Sequence, residues 1–121
     1  MANTCARTSC KHLARLKDAA LGTITLHGSV GEFGSLSSKE RLAATAAAAE
    51  VAADRLIVAV GGDLVTALLD AHEAARHDVR FVMVHQPNQP LRATRGWIEY
   101  HRRIACAVPE TGVLVYLRTQ R

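Results

Sequence analysis

The sequence predicts an α/β fold with a parallel sheet, and three observations carry that prediction. Short runs such as Leu56-Ile-Val-Ala-Val60 are apolar at nearly every position, the mark of strands covered on both faces. Longer stretches lie between the runs and repeat apolar residues at helical spacing. The two kinds of segment alternate, with strand starts near 23, 56, 80 and 113, and connections of that kind are right-handed crossovers between parallel strands.

Taken in order, Met1 to Lys11 reads as a poorly ordered lead-in, and Leu13, Leu16 and the alanines around them suggest a short helix from His12 to Ala20. Thr23 to His27 is a β-rich run ending in Gly28-Ser-Val-Gly31, a strand followed by a turn, and Glu32 to Leu36 is loop. Ser37 stands three residues before Glu40, the reciprocal arrangement that caps a helix start, and Lys39 to Ala53 holds no Gly or Pro. The buried stripe expected of that helix is Leu42, Ala46, Ala49 and Ala53. Leu56 to Val60 is the second strand, closed by Gly61-Gly62. Asp63 then opens a helix to about Arg76, with Leu64, Leu68, Ala71 and Ala75 inward and Thr66, Asp70 and Glu73 outward. Val79 to Val84 is the third strand, His85 to Thr94 a proline-broken loop, and Arg95 to Ala107 a helix whose inner face carries Trp97, Ile104 and Val108. Val113 to Leu117 is the fourth strand.

Composition narrows the function classes. At 121 residues and 49% hydrophobic the chain is a single domain with some core, and charged or glycine residues break every run short of a membrane span. The net charge is +4, but the fifteen basic residues are scattered among acids with Arg102-Arg103 as their densest pair, so no stripe could follow a phosphate backbone; neither nucleic acid nor membrane is expected as a partner. Cys5, Cys10 and Cys106 form no even disulfide set and no paired zinc spacing, which points to a reducing, cytoplasmic compartment and to no metal site; Cys5, Cys10 and His12 read as a solvent-facing terminal segment. The first seventeen residues are basic and weakly like an organelle transit peptide, and no apolar block follows them to make a secretory signal.

Four strands do not close a barrel, which takes eight. The choice lies between a small open sheet and part of a barrel, and the lack of edge prolines and the scarcity of inward charges favour the part. In parallel α/β folds chemistry sits beyond the carboxyl ends of the strands. There, Gly28-Ser29-Val30-Gly31-Glu32 could turn with its N–H groups exposed to a carboxylate or phosphate, or be a plain turn. Tyr116 reads as a core aromatic or a functional hydroxyl, His85 as a structural hydrogen bonder rather than a base, and Gly61-Gly62-Asp63 as a helix start. Trp97 and Tyr100 are packing residues by the simplest reading, and Arg102 and Arg103 are solvated.

Together, Gly28-Ser-Val-Gly-Glu-Phe33, Leu36-Ser-Ser-Lys-Glu-Arg-Leu42, Gly61-Gly62 after an apolar strand, and Tyr116 on a later strand resemble the dihydrodipicolinate synthase and N-acetylneuraminate lyase family over roughly Leu16 to Arg118. The resemblance implies a partial (β/α)8 TIM barrel over residues 12–121, holding the second to fifth barrel strands. It also implies Schiff-base chemistry on pyruvate or a related 2-oxo acid (aldol addition, cleavage or dehydration), no cofactor, and a homo-oligomer. On that likeness Tyr116 is the proton-relay tyrosine and Ser29 a catalytic and carboxylate-holding hydroxyl. Val30 stands where a second hydroxyl residue is usual, so only its backbone could hold the carboxylate. Pro87-Asn88-Gln89-Pro90 lacks the tyrosine pair of the synthases, which leaves a dehydratase or another aldolase branch as apt. The family's Schiff-base lysine belongs to the strand after the tyrosine strand, which this sequence does not reach, and Lys11, Lys17 and Lys39 are not at strand ends. A truncated member with little activity by itself is therefore expected. The alternatives are a non-catalytic half-barrel that self-associates and a phosphoacceptor-type regulator, the latter disfavoured because His27-Gly28-Ser29 offers no clustered acids.

Overall fold

The structure, a computed structural model, describes residues 23–26, 37–87 and 94–117, together with positions 11, 14, 15 and 18, which are helical. The remainder of the expected lead-in and first helix, with Cys5, Cys10 and His12, lies outside the described residues. Strands β1 (Ile24–Leu26), β2 (Leu56–Val60), β3 (Phe81–Val84) and β4 (Gly112–Val115) alternate with helices α1 (Ser38–Ala52), α2 (Leu64–Arg76) and α3 (Thr94–Ala107), and a short 3-10 turn, Ala53–Arg55, precedes β2. The strands form one sheet in the order β1-β2-β3-β4, every pair parallel. Sequence-adjacent parallel neighbours joined by helices make a partial (β/α)8 barrel, as expected. No described helix is long and apolar enough to cross a membrane.

The helix starts follow the sequence chemistry. Glu40 N–H donates to Ser37 Oγ at 3.1 Å while Ser37 N–H donates to Glu40 Oε1 at 3.1 Å, which completes the capping box of α1. Asp63 caps α2, its Oδ1 accepting from Thr66 N–H at 2.7 Å. The core lies between sheet and helices: Leu56, Val58, Val60, Val82 and Val84 are buried against Ala48, Ala67, Ala71, Ala74, Tyr100 and Ile104. Alanines on α1 and α2 let those helices approach the sheet and each other closely.

Two helix faces differ from the sequence expectation. The buried stripe of α1 is Arg41, Thr45, Ala48 and Ala52, not Leu42, Ala46, Ala49 and Ala53. On α2, Asp70 is buried rather than outward, alongside Ala67, Ala71 and Ala74. One cause explains both: Arg41 Nε donates to Asp70 Oδ2 at 2.8 Å across the two helices, with the side chains only 8% and 4% exposed. Hydrophobic periodicity does not anticipate a stripe turned inward by an ion pair. Burial of Asp70 raises its pKa, and the bond from Arg41 and its charge oppose that. On α3, Tyr100, His101 and Ile104 are the buried residues and Trp97 is half-buried. Arg102 and Arg103 are exposed and share Glu99.

Candidate active site

Strand alternation decides which residues can line the interior of the sheet. The positions buried under the helices are Leu56, Val58, Val60, Val82 and Val84, so the alternate positions face away from them. The register aligns these in rows: Ile57, Phe81 and Gly112 form one, and Ala59, Met83 and Leu114 form the next. The ladder continues one residue past the strand ends, because His85 N–H donates to Val60 O at 2.8 Å and Tyr116 N–H donates to Val84 O at 3.2 Å. The third row is therefore Gly61, His85 and Tyr116, at the carboxyl ends of β2, β3 and β4, where parallel α/β folds place their chemistry.

The members of this row touch. A Cβ built on Gly61 would lie 2.9 Å from His85 Cβ, so the imidazole stem occupies the space that any side chain at 61 would need. The His85 and Tyr116 rings meet edge to face, with centroids 6.1 Å apart and planes at 69°. Tyr116 is 39% exposed and follows the last residue of β4, so it is not the core aromatic that the sequence allowed. Behind the row, Tyr100 on α3 is 2% exposed and donates its hydroxyl to Gly62 O at 2.9 Å, pinning the turn after β2 to α3. Burial pushes the Tyr100 phenol up to about 12, helped by the Asp63 and Asp70 carboxylates. The Thr66 backbone bond holds Asp63 below the usual carboxylate range. Asp63 thus serves the helix start, as the sequence indicated.

Of the residues singled out from sequence, the structure describes Tyr116, His85 and the Gly61-Gly62-Asp63 turn, and brings Tyr116, His85 and Gly61 together. Ser29 and Val30, with the rest of Gly28 to Glu32, lie outside the described residues. Counting two-residue steps from Phe81 and from Gly112 would have put His85 and Tyr116 on one face, but their pairing requires the strand register. Among the described residues no three His, Cys, Asp or Glu side chains gather as a metal site. A cleft of about 350 Å³ lies at the opposite end of the sheet, lined by Asp78, Val79, Val108, Glu110 and Thr111 among others. That is the stability end of a barrel rather than its reactive end.

No family model and no curated protein matches the chain by sequence. Solved structures do match it in fold. YagE from E. coli K12, a prophage protein of the dihydrodipicolinic acid synthase family solved in complex with pyruvate, superposes with a TM-score of 0.82 at 21% identity, covering 90% of this chain and 37% of that one. A variant of 2-keto-3-deoxygluconate aldolase from Sulfolobus solfataricus gives 0.83 at 22% identity over 93% of this chain and 39% of that one. N-acetylneuraminate lyase from Mycoplasma synoviae gives 0.81 at 21% identity over 94% and 41%. The chain thus spans about two fifths of the length of these proteins, and its fold matches that part of them.

Proposed function

We propose that this chain is the tyrosine-bearing part of a Schiff-base lyase or aldolase barrel of the dihydrodipicolinate synthase family, acting on pyruvate or a related 2-oxo acid. The observation that carries the reading is the placement of Tyr116 at the carboxyl end of β4, in a row facing away from the helices, on a sheet whose fold matches proteins of that family. A phenol at this mouth can give a proton to, or take one from, a carbon or oxygen next to an imine. Ser29 and the Val30 backbone, in the turn after the first strand, are assigned to the 2-oxo acid carboxylate, with Ser29 also passing protons. The matched stretch corresponds to the second to fifth barrel strands, and the setting is cytoplasmic.

The covalent step needs an amine in the mouth. Lys11 and Lys39 are exposed and helical, Lys39 in the first turn of α1, and in the sequence Lys17 follows no apolar strand run that could desolvate its amine into a nucleophile. The 121-residue polypeptide by itself therefore binds a 2-oxo acid without condensing with it. Mixing it with pyruvate and borohydride and weighing the product by mass spectrometry tests this. An unchanged mass is expected, and one reduced pyruvate adduct per chain would refute it.

A second reading has its own support. Leu114 and Val115 on β4, the last strand of the sheet, and Leu117 two residues past it are 39%, 44% and 77% exposed. Such an edge invites pairing with another copy to complete a barrel-like assembly without catalysis. Sedimentation of the polypeptide as a folded monomer would exclude that reading.

A further inference from the structure

We propose that His85 is a positioning residue for Tyr116, with Gly61 as the gap that lets it act: the imidazole, seated over Gly61, fixes the orientation of the phenol across the mouth of the sheet. The functional side of this inference rests on the reading of Tyr116 as the proton-transferring group. Its structural side does not.

Three neighbouring strands contribute one residue each to a single row. At Gly61 the missing side chain is the space His85 fills, and the clash that an added Cβ would make is with another Cβ, close to the backbone. A long flexible side chain could swing away; a Cβ moves only with the β3 end. That end is fixed, because His85 N–H is bonded to Val60 O at 2.8 Å. The ring then reaches Tyr116, half-exposed one residue past β4, and meets it edge to face at a centroid separation of 6.1 Å, the arrangement aromatic quadrupoles favour. A phenol that exposed has a choice of rotamers, and packing one edge of its ring removes alternatives. A proton-transferring group gains from being held, since misplacement by about 1 Å is costly in a reacting pair. Because the contact between the two residues is one of ring against ring, a phenylalanine at 85 should preserve the orientation and an alanine should not.

The two tyrosines of the chain make this measurable, since the aromatic NMR spectrum holds only two phenol ring systems and Tyr100 is the buried one. The full polypeptide is compared with His85→Ala, His85→Phe and Gly61→Ala, each checked for native circular dichroism. His85→Ala and Gly61→Ala are expected to shift the Tyr116 ring signals and erase the 85–116 ring contacts while Tyr100 stays in place, and His85→Phe to keep the wild-type orientation. Pyruvate titrated onto each should bind about two- to tenfold more weakly to His85→Ala than to wild type, the scale of one lost aromatic contact, with His85→Phe restoring the affinity. Unmoved Tyr116 signals in folded His85→Ala would overturn the proposal. So would equal pyruvate affinity in wild type and His85→Ala. Wild type that shows no pyruvate response sinks the 2-oxo acid reading instead, and the ring signals alone then decide whether His85 orients Tyr116. Should His85→Ala not fold, Gly61→Ala and His85→Phe carry the same comparison.

Discussion

Exchanging Arg41 for Met should destabilise the protein by an amount set by pH. The Arg41–Asp70 pair is buried, its contact is 2.8 Å, and among the described residues Asp70 Oδ1 has no hydrogen-bond partner. Without Arg41 the carboxylate must stay charged in an apolar seam or take up a proton, and the proton is the cheaper route. Neutralising a carboxyl of ordinary pKa 3.8 costs about 4 kcal/mol at pH 7 and about 1.6 kcal/mol at pH 5, at about 1.36 kcal/mol per pH unit. These are ceilings on the electrostatic loss, to which a packing loss independent of pH is added. Losses of about 4 kcal/mol rival the whole stability of a small domain, so Arg41→Met should be largely unfolded at pH 7 and recover on acidification to pH 5. Removing both charges with Arg41→Met and Asp70→Leu should restore most of the stability at either pH, since a buried pair is worth little against apolar residues of similar size. Urea unfolding followed by circular dichroism at the two pH values is the assay. A loss of equal size at pH 5 and pH 7, or a double variant no better than the single, would show that an unpaired Asp70 charge is not the source of the loss.

Three further outcomes follow from the same structure. Tyr100→Phe removes the donor to Gly62 O and should cost about 1 to 2 kcal/mol in urea unfolding, with faster hydrogen exchange in the first turn of α2. Gly112→Ala places a Cβ against the Phe81 ring and should cost about 1 to 3 kcal/mol; Phe81→Leu in the same chain should recover part of it, and unchanged unfolding of the single variant would show that the ring moves freely. In acid, the Arg102 and then the Arg103 bonds hold Glu99 at about 2, and cap bonds hold Glu40 and Asp63 low. Folded values below unfolded ones mean that this stability is present above the ordinary carboxylate range and is lost as pH falls through the folded values. Asp70 has the opposite sign, contributing most below 3.8 and losing that contribution as pH rises through its raised folded value. With three groups against one, unfolding midpoints should fall between about pH 4.5 and 2, and Glu99→Gln should flatten that slope.

The sequence was most legible where one residue type does one local job. Ser37 with Glu40 and Asp63 before Leu64 marked two helix starts that the structure shows bonded as expected. The run Leu56–Val60 announced a strand covered on both sides, and β2 has those bounds. Legibility failed where two distant residues share a job. Arg41 and Asp70 are 29 positions apart, and each alone looks like a solvent residue; only their bond makes burial favourable and turns the faces of α1 and α2. His85 and Tyr116 meet through parallel register, which no local pattern encodes. Tyr100 looked like packing alone because its hydroxyl finds its acceptor 38 residues away.

Chemical-shift mapping of the 121-residue polypeptide with pyruvate distinguishes the two ends of the sheet, and the proposed function puts the 2-oxo acid at the carboxyl ends of the strands. Perturbations should gather at Gly61, Gly62, His85 and Tyr116 and spare Asp78, Val79, Glu110 and Thr111 at the other end. Shifts confined to the Asp78–Thr111 cleft, or none anywhere at millimolar pyruvate, would contradict it.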